Sequence, residues 1–319
     1  MLWLLLLLFV DSFDTDFRSG LIALKEGNLV VAQSRLESAS KLQPANPRVW
    51  LALAQAYWKA NKPAEAQSAA QRAEALTKDP ALLHGLAFYY SEIGNNQKAA
   101  DLLWSAIQQD AHYESYYLEI AQLCFKQQNF NSALEALRAG RKIFPESVQL
   151  ELATGVAYYG LRRFPEAIDA FLRTIELDPS PEQPYVFLGR MFDQAEAKLP
   201  KIRTVFAAFA KKSPDNYLSS FLYAKTFAID DPGRAEALLR RSISLNAAFP
   251  DSHFDLGVLL ENSGGRQRLE EAIREMQRCI ELNPNDPVAH YHLARLYDQA
   301  GKAAEARAER ELHRKLSQP

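Results

Sequence analysis

The sequence predicts an all-α protein built from a repeated pair of helices. Three observations support this prediction. Residues that favour helix over strand (alanine, leucine, glutamate, glutamine, lysine and arginine) are abundant, glycine is scarce at 13 in 319 residues, and small residues recur at a nearly fixed spacing. In chain order, the predicted parts are an apolar leader, residues 1–12, and a repeat domain, residues 13–319.

The composition excludes several classes of protein. Hydrophobic residues make up 48% and charged residues 24%, a balance typical of globular and not of disordered proteins. The net charge of -2 provides no long-range field for nucleic acid, so we expect no nucleic-acid partner. The two cysteines, Cys124 and Cys279, cannot form a disulfide framework, and we expect both to be small buried apolar residues.

The leader leaves two interpretations open. Residues 1–10 read MLWLLLLLFV, about half of the roughly 20 apolar residues that a bilayer-spanning helix needs. This length suits the apolar part of a secretory signal, but no basic residue precedes it and no A-x-A-like site follows. Because such a run is hard to leave in water, we favour an exported, periplasmic or membrane-tethered protein, with the membrane contacted only through the leader. The alternative is a cytoplasmic protein whose apolar N-terminus lies on the first helix.

The repeat domain follows a period near 34 residues. Small residues recur at separations of 34, 33, 34, 34, 68, 37 and 34, and Ile202 fills the place that the 68 skips. These residues are Ala32, Ala66, Ala99, Ala133, Ala167, Ala235, Ala272 and Ala306. Twelve residues later, several units carry a proline that would end the second helix: Pro44, Pro145, Pro179, Pro214 and Pro284. Two further prolines, Pro80 and Pro250, are predicted to end their units a few residues later.

A second register precedes the alanines and carries a family resemblance. The spacing of Trp50, Leu53, Ala54 and Tyr57 returns in later units, and the best unit, 148–179, places Gly155, Tyr158, Ala167, Phe171 and Pro179 in one pattern. The chain resembles the tetratricopeptide repeat family, with about nine repeats starting near residues 13, 47, 80, 114, 148, 182, 217, 250 and 287. The resemblance implies a right-handed α-α superhelix, a solenoid of helix-turn-helix repeats with a continuous core.

Some units depart from this pattern. Unit one is weak, with Asp16 and Ser19 where large apolar residues are expected, and is predicted to be a terminal cap. Unit six carries one extra residue and the bulky pair Phe206 and Phe209. Unit eight has about three extra residues around Gly264 and Gly265, and the last helix, residues 302–316, is charged enough to act as a polar cap.

No motif predicts an enzyme, a catalytic residue, a cofactor or a metal. The sequence contains no nucleophile elbow, phosphate-binding glycine loop or paired-cysteine metal spacing. The nearest metal pair, His290 and His292, would point about 200° apart on a helix and could not share an ion. A third hypothesis is that the chain is the repeat portion of a glycosyltransferase, which reads substrates through its groove and acts in trans.

The resemblance implies a concave groove, lined by first-helix residues that do not stack between repeats. The predicted partner-binding residues, here called the groove face, are Gln55, Trp58, Lys59, His84, Phe88, Gln122, Phe125, Lys126, Tyr159 and Arg190. The same face continues through Asp193, Lys225, Val258, Glu261, Arg295 and Asp298. Aromatics beside lysine and glutamine suit a protein or peptide partner. The alternative is that the aromatics complete the packing between repeats.

Two functions follow from this sequence. The first is a non-enzymatic scaffold or adaptor that binds a protein partner through its concave groove. The alternative is an exported or membrane-tethered accessory subunit for cell-envelope assembly, secretion or polysaccharide export. A clamp for chaperone C-terminal carboxylates is disfavoured, since the slots where relatives of that type carry lysine and asparagine hold Leu51, Gln55, His84 and Phe88.

Overall fold

The computed structural model describes residues 2–318, except for the side chains of residues 2–11 and 196. The described residues form α-helices joined by short turns and contain no strand, which confirms the all-α prediction. The helices are α1 (Leu2–Lys25), α2 (Leu29–Leu42), α3 (Pro47–Lys59), α4 (Pro63–Ala75), α5 (Pro80–Glu92), α6 (Asn96–Gln109), α7 (Glu114–Lys126), α8 (Phe130–Ile143), α9 (Val148–Gly160), α10 (Phe164–Leu177), α11 (Gln183–Arg190), α12 (Leu199–Lys212), α13 (Tyr217–Lys225), α14 (Pro232–Leu245), α15 (Pro250–Ser263), α16 (Arg266–Leu282), α17 (Pro287–Gln299) and α18 (Ala303–Leu316). Two short 3-10 helices, Phe192–Gln194 and Glu196–Lys198, stand between α11 and α12.

Odd-numbered helices are the first helices of hairpins and even-numbered helices are the second. Seven of the predicted repeat starts coincide with the first residue of a helix, and the sixth repeat begins at 183 instead of 182. The chain divides into two compact units, Met1–Ala170 and Phe171–Pro319, called here the first and second units. Within each unit, the hairpins stack in chain order.

The leader lies mostly outside the residues whose side chains are described. Helix α1 begins at Leu2 and runs through the predicted boundary at residue 12, with 24 residues where most first helices have 13. Among the described residues, no helix combines the length and apolar character needed to cross a bilayer.

Prolines mark both ends of the helices. The five predicted closing prolines each lie two residues beyond the last residue of a second helix, as in Pro44 after α2 and Pro145 after α8. The expectation for Pro80 and Pro250 was wrong, because each is the first residue of the next helix. Proline suits that position because its missing N–H would be unpaired there and its φ is already helical.

The hairpin turns repeat one backbone motif. A residue with positive φ follows the first helix at Gly27, Gly94 and Gly301 (φ 79°, 79° and 73°) and at Asn61, Gln128 and Arg162 (φ 59°, 55° and 58°). The next N–H then donates to a carbonyl five residues back, as from Asn95 to Tyr90 at 2.8 Å. This is the Schellman closure, which satisfies carbonyls left open at a helix C-terminus.

The recurring small residues occupy buried positions of the second helices. All eight register alanines are at most 1% exposed, and Ile202 in α12 is fully buried at the ninth position. A buried alanine lets neighbouring helices pack closely, whereas a buried isoleucine requires more room.

A polar side chain ties most first helices to the loop before them. It donates to the carbonyl oxygen six residues earlier, from Trp50 (2.9 Å), Tyr117 (3.1 Å), Tyr185 (3.1 Å), Ser219 (2.8 Å), His253 (3.2 Å) and His290 (3.0 Å). The two histidines also place Nδ1 2.6 Å from Glu275 and Glu309. His290 is therefore a structural residue.

The first repeat, helices α1 and α2, is held together by more side-chain contacts than the sequence suggests. Asp16 accepts hydrogen bonds from Arg35 Nη1 at 2.8 Å and Ser38 Oγ at 2.6 Å, so the polar residue at an apolar position links α1 to α2. The Ser38 hydrogen bond, opposed by burial and aided by Arg35, lowers the pKa of Asp16. On the outer side, Val30 remains 81% exposed.

Candidate partner-binding surface

The groove face has two well-exposed aromatic side chains. Trp58 at the end of α3 is 38% exposed and Phe88 in α5 is 58% exposed. The remaining members lie on α3, α5, α7, α9 and α11 and are half-buried or exposed: Gln55, Lys59, His84, Gln122, Phe125, Lys126, Tyr159 and Arg190. All ten residues of the groove face therefore reach the surface.

Two of the aromatics contribute to hairpin packing. The ring centroid of Phe125 lies 5.9 Å from that of Phe130, and Tyr159 lies 6.0 Å from Phe164. In both cases the partner ring is the first residue of the second helix in the same hairpin. These contacts lie within a repeat and therefore do not test whether Phe125 and Tyr159 complete the packing between repeats. Trp58 and Phe88 leave more surface for a partner.

A polar and aromatic cluster lies across α5 and α7. His84 Nε2 is 2.9 Å from both carboxylate oxygens of Glu119, and its ring lies 5.0 Å from Tyr116. Tyr116 in turn stacks on Tyr113, which is 48% exposed. The Glu119 hydrogen bond, opposed by burial, raises the pKa of His84. The cluster joins neighbouring repeats beside the exposed ring of Phe88.

In the second unit, the same face carries charged pairs. Lys225 Nζ lies 3.2 Å from Asp255 Oδ2, and Glu261, whose side chain is 3% exposed, lies 3.1 Å from His292 and 3.3 Å from Arg295. Burial raises the pKa of Asp255 against the opposing effect of Lys225, and nearby Asp251 and Asp193 act in the same direction as burial.

Sequence reasoning missed Ile229 and Asp255. Ile229 lies in the turn after α13 and is 92% exposed, between cavities lined also by Phe192 and Lys225. The sequence does contain a signal, because an isoleucine directly before the turn residues Asp230-Asp231-Pro232 is unusual where polar residues are expected. Asp255 carries no such signal.

Neither cysteine is placed to react. Both are buried, as predicted. Burial raises the pKa of the Cys124 thiol and raises that of Cys279 to about 12, so both remain protonated near neutral pH. Among the described residues, no three histidine, cysteine or acidic side chains come together in a way that could hold a metal ion.

Solved structures with similar folds are themselves repeat proteins. Yeast Tom70 is 15% identical, with 94% of this chain and 84% of that chain covered at a TM-score of 0.51. The C-terminal part of a TPR repeat-containing protein from Cytophaga hutchinsonii is 16% identical, with 87% and 99% covered at a TM-score of 0.52. At these identities the similarity establishes the fold alone.

Family models agree with the structural likeness. No curated protein sequence matches the chain. Two models described as tetratricopeptide repeat do match, one at residues 23–87 and 265–310 and the other at 118–182. Together with the hairpin period and the buried small residues, these matches show that the chain belongs to the tetratricopeptide repeat family.

Proposed function

We propose that this chain is a non-enzymatic scaffold that holds a protein or peptide partner along the groove face. The observation that carries this proposal is the exposure of Trp58 and Phe88 beside cationic Lys59 on successive first helices. Large aromatic side chains contribute most of the binding energy in many interfaces, and adjacent cations add orientation. Membership of an interaction-repeat family supports the same function.

Position-specific photocrosslinking tests this proposal. A photoreactive residue replaces Phe88 on the groove face, and a matched variant carries it at Gln108, which is exposed on second helix α6. We expect a discrete crosslinked partner from position 88 in cells that express the chain natively, and none from position 108. Equal crosslinking from both positions, or crosslinking from 108 alone, would contradict binding at the groove face.

We also propose that residues 1–12 are a membrane tether or export signal, which would make the chain an accessory subunit at the cell envelope. The supporting observation is that α1 has 24 residues and that its extra length coincides with the apolar run. Cell fractionation with N-terminal sequencing tests this role. Recovery in the membrane or exported fraction supports it, and a wholly cytosolic protein that retains Met1 contradicts it.

A further inference from the structure

We propose that two adjoining cavities beside Ile229 form a recognition site for the protein partner, an inference that rests on the proposed function. The ligand class is a partner segment that places an apolar side chain next to a lysine or arginine. Both cavities lie within the second unit, at the C-terminal ends of first helices.

The cavities lie beside the ends of two short first helices. Helix α11 has 8 residues and α13 has 9, compared with 13 in α3, α5, α7, α9 and α17. Each of these α-helices therefore ends about one turn early, and after α11 the chain continues as two 3-10 helices. The turn after α13 leaves Ile229 between the two cavities.

The size and lining of the cavities suit an apolar side chain. Their volumes are about 300 and 360 Å³, and they share Phe192, Lys225 and Ile229 as walls. Binding pockets typically start near 300 Å³ and combine apolar walls with a few polar groups. Val258 and Leu259 add apolar surface to the first cavity. An isoleucine that is 92% exposed beside such walls gains contact area when a partner covers it.

The charges favour a cationic neighbour. The cations that line the cavities are already paired, Lys225 with Asp255 at 3.2 Å and Arg203 with Asp230 at 2.7 Å. Asp193 is exposed, and its carboxylate forms no ion pair with a described lysine or arginine. A lysine or arginine from the partner would pair with Asp193, whereas an aspartate or glutamate would meet uncompensated negative charge.

The site is held in place before any partner arrives. Arg203 donates to the backbone carbonyl of Thr226, which the early end of α13 leaves open, and also to Asp230. The ring of Phe227 lies between two guanidinium groups, 5.2 Å from that of Arg203 and 4.2 Å from that of Arg234. Preorganisation of this kind reduces the entropic cost of binding.

Labelled peptides in a glycine-serine background test the site by fluorescence anisotropy. The probes carry Leu-Arg, Leu-Glu or Ser-Arg at the centre. We expect the Leu-Arg peptide to bind the full chain most tightly, and Ile229→Ser to weaken that binding roughly tenfold. Asp193→Lys should weaken Leu-Arg to a similar degree and strengthen Leu-Glu, since the charge preference is reversed. Both positions are exposed, so circular dichroism should show the fold unchanged.

Matched variants separate this inference from the proposed function. Glu92→Lys changes an exposed acid at the end of α5 in the first unit and should leave all three affinities unchanged. Equal binding of Leu-Arg and Leu-Glu, or no binding of any probe, would overturn the recognition site. Loss of Leu-Arg binding on Phe88→Ser but not on Ile229→Ser would overturn it too, while supporting the groove face. Crosslinking from position 88 decides the proposed function independently.

Discussion

Regular hairpins of the first unit and irregular hairpins of the second unit end their first helices differently. In α9, the helix continues to Gly160 and closes through Arg162, whose φ is 58°. In α13, the helix ends at Lys225, and Asp230 at the equivalent turn position has no positive φ. The regular closure continues the helix up to the turn, while the early end of α13 leaves Ile229 exposed beside two cavities. The two kinds of hairpin therefore differ in how the first helix ends and in what the turn exposes.

The largest expected effect is at the buried register position of the second helix, which holds alanine in the regular hairpins and isoleucine, Ile202, in α12. Ile202→Ala should destabilise the second unit by about 2–5 kcal/mol, because a fully buried isoleucine leaves a cavity. The reverse change in a regular hairpin, Ala133→Ile, should cost about 1–3 kcal/mol through overpacking. Urea unfolding followed by circular dichroism measures both. If Ala133→Ile leaves the stability unchanged, the regular hairpins do not require a small residue at this position.

A smaller effect is expected at the regular turns. Gly94→Ala places a Cβ at φ 79° and should cost about 1 kcal/mol, whereas Arg162→Gly relieves a similar strain and should stabilise by up to about 1 kcal/mol. Thermal unfolding of both variants provides the measurement. Val30→Ala, at an 81% exposed position in another hairpin, is the control that should change little. The two variants should change the thermal stability in opposite directions. A change in the same direction would contradict the role given to the positive φ in these turns.

Removing the Arg203 guanidinium should make the turn after α13 more mobile. Arg203→Gln removes the hydrogen bonds to Thr226 and Asp230, and we expect a cost of about 1 kcal/mol or less because the side chain is 43% exposed. The local consequence is larger: amide exchange across residues 226–231 should accelerate. Residues 161–163 in the regular turn should keep their exchange rates. Unchanged exchange at 226–231 would show that Arg203 does not hold the turn.

The smallest effect is a difference in the direction of pH dependence. The lowered pKa of Asp16 means that its contribution to stability is present above its unfolded pKa and is lost as pH falls through the folded value. The raised pKa of Asp255 acts oppositely, so stability falls as pH rises from 3.8 towards the folded value. Carboxyl titration by NMR should place Asp16 below and Asp255 above the usual aspartate range. The same shift direction for both would contradict the assigned environments.

Much of the fold could be predicted because the repeat averages over local errors. One alanine at Ala133 is weak evidence, but eight such buried positions define the register of the hairpins. Repeat starts at 47, 80 and 114 follow from that register and coincide with helix starts. The cavities beside Ile229 could not be predicted, since they are lined by residues from several helices and the turn after α13 is held by Arg203, whose guanidinium bonds a backbone carbonyl 23 residues away.

The candidate surface was only partly predictable for a related reason. The helical period places Phe88 and Phe125 on first helices, but exposure depends on neighbours outside that helix. Phe125 meets Phe130 in its own hairpin, while Phe88 remains 58% exposed. Asp16 shows the same limit. It stands where a large apolar residue was expected, but it accepts hydrogen bonds from Arg35 and Ser38 and so links α1 to α2.

Hydrogen exchange with and without a crosslink-identified partner tests the groove face most directly. Binding should protect amides in the first helices α3, α5 and α7 and leave the exposed surface of second helices α4, α6 and α8 unchanged. Protection confined to α4, α6 and α8 would contradict a partner held along the groove face.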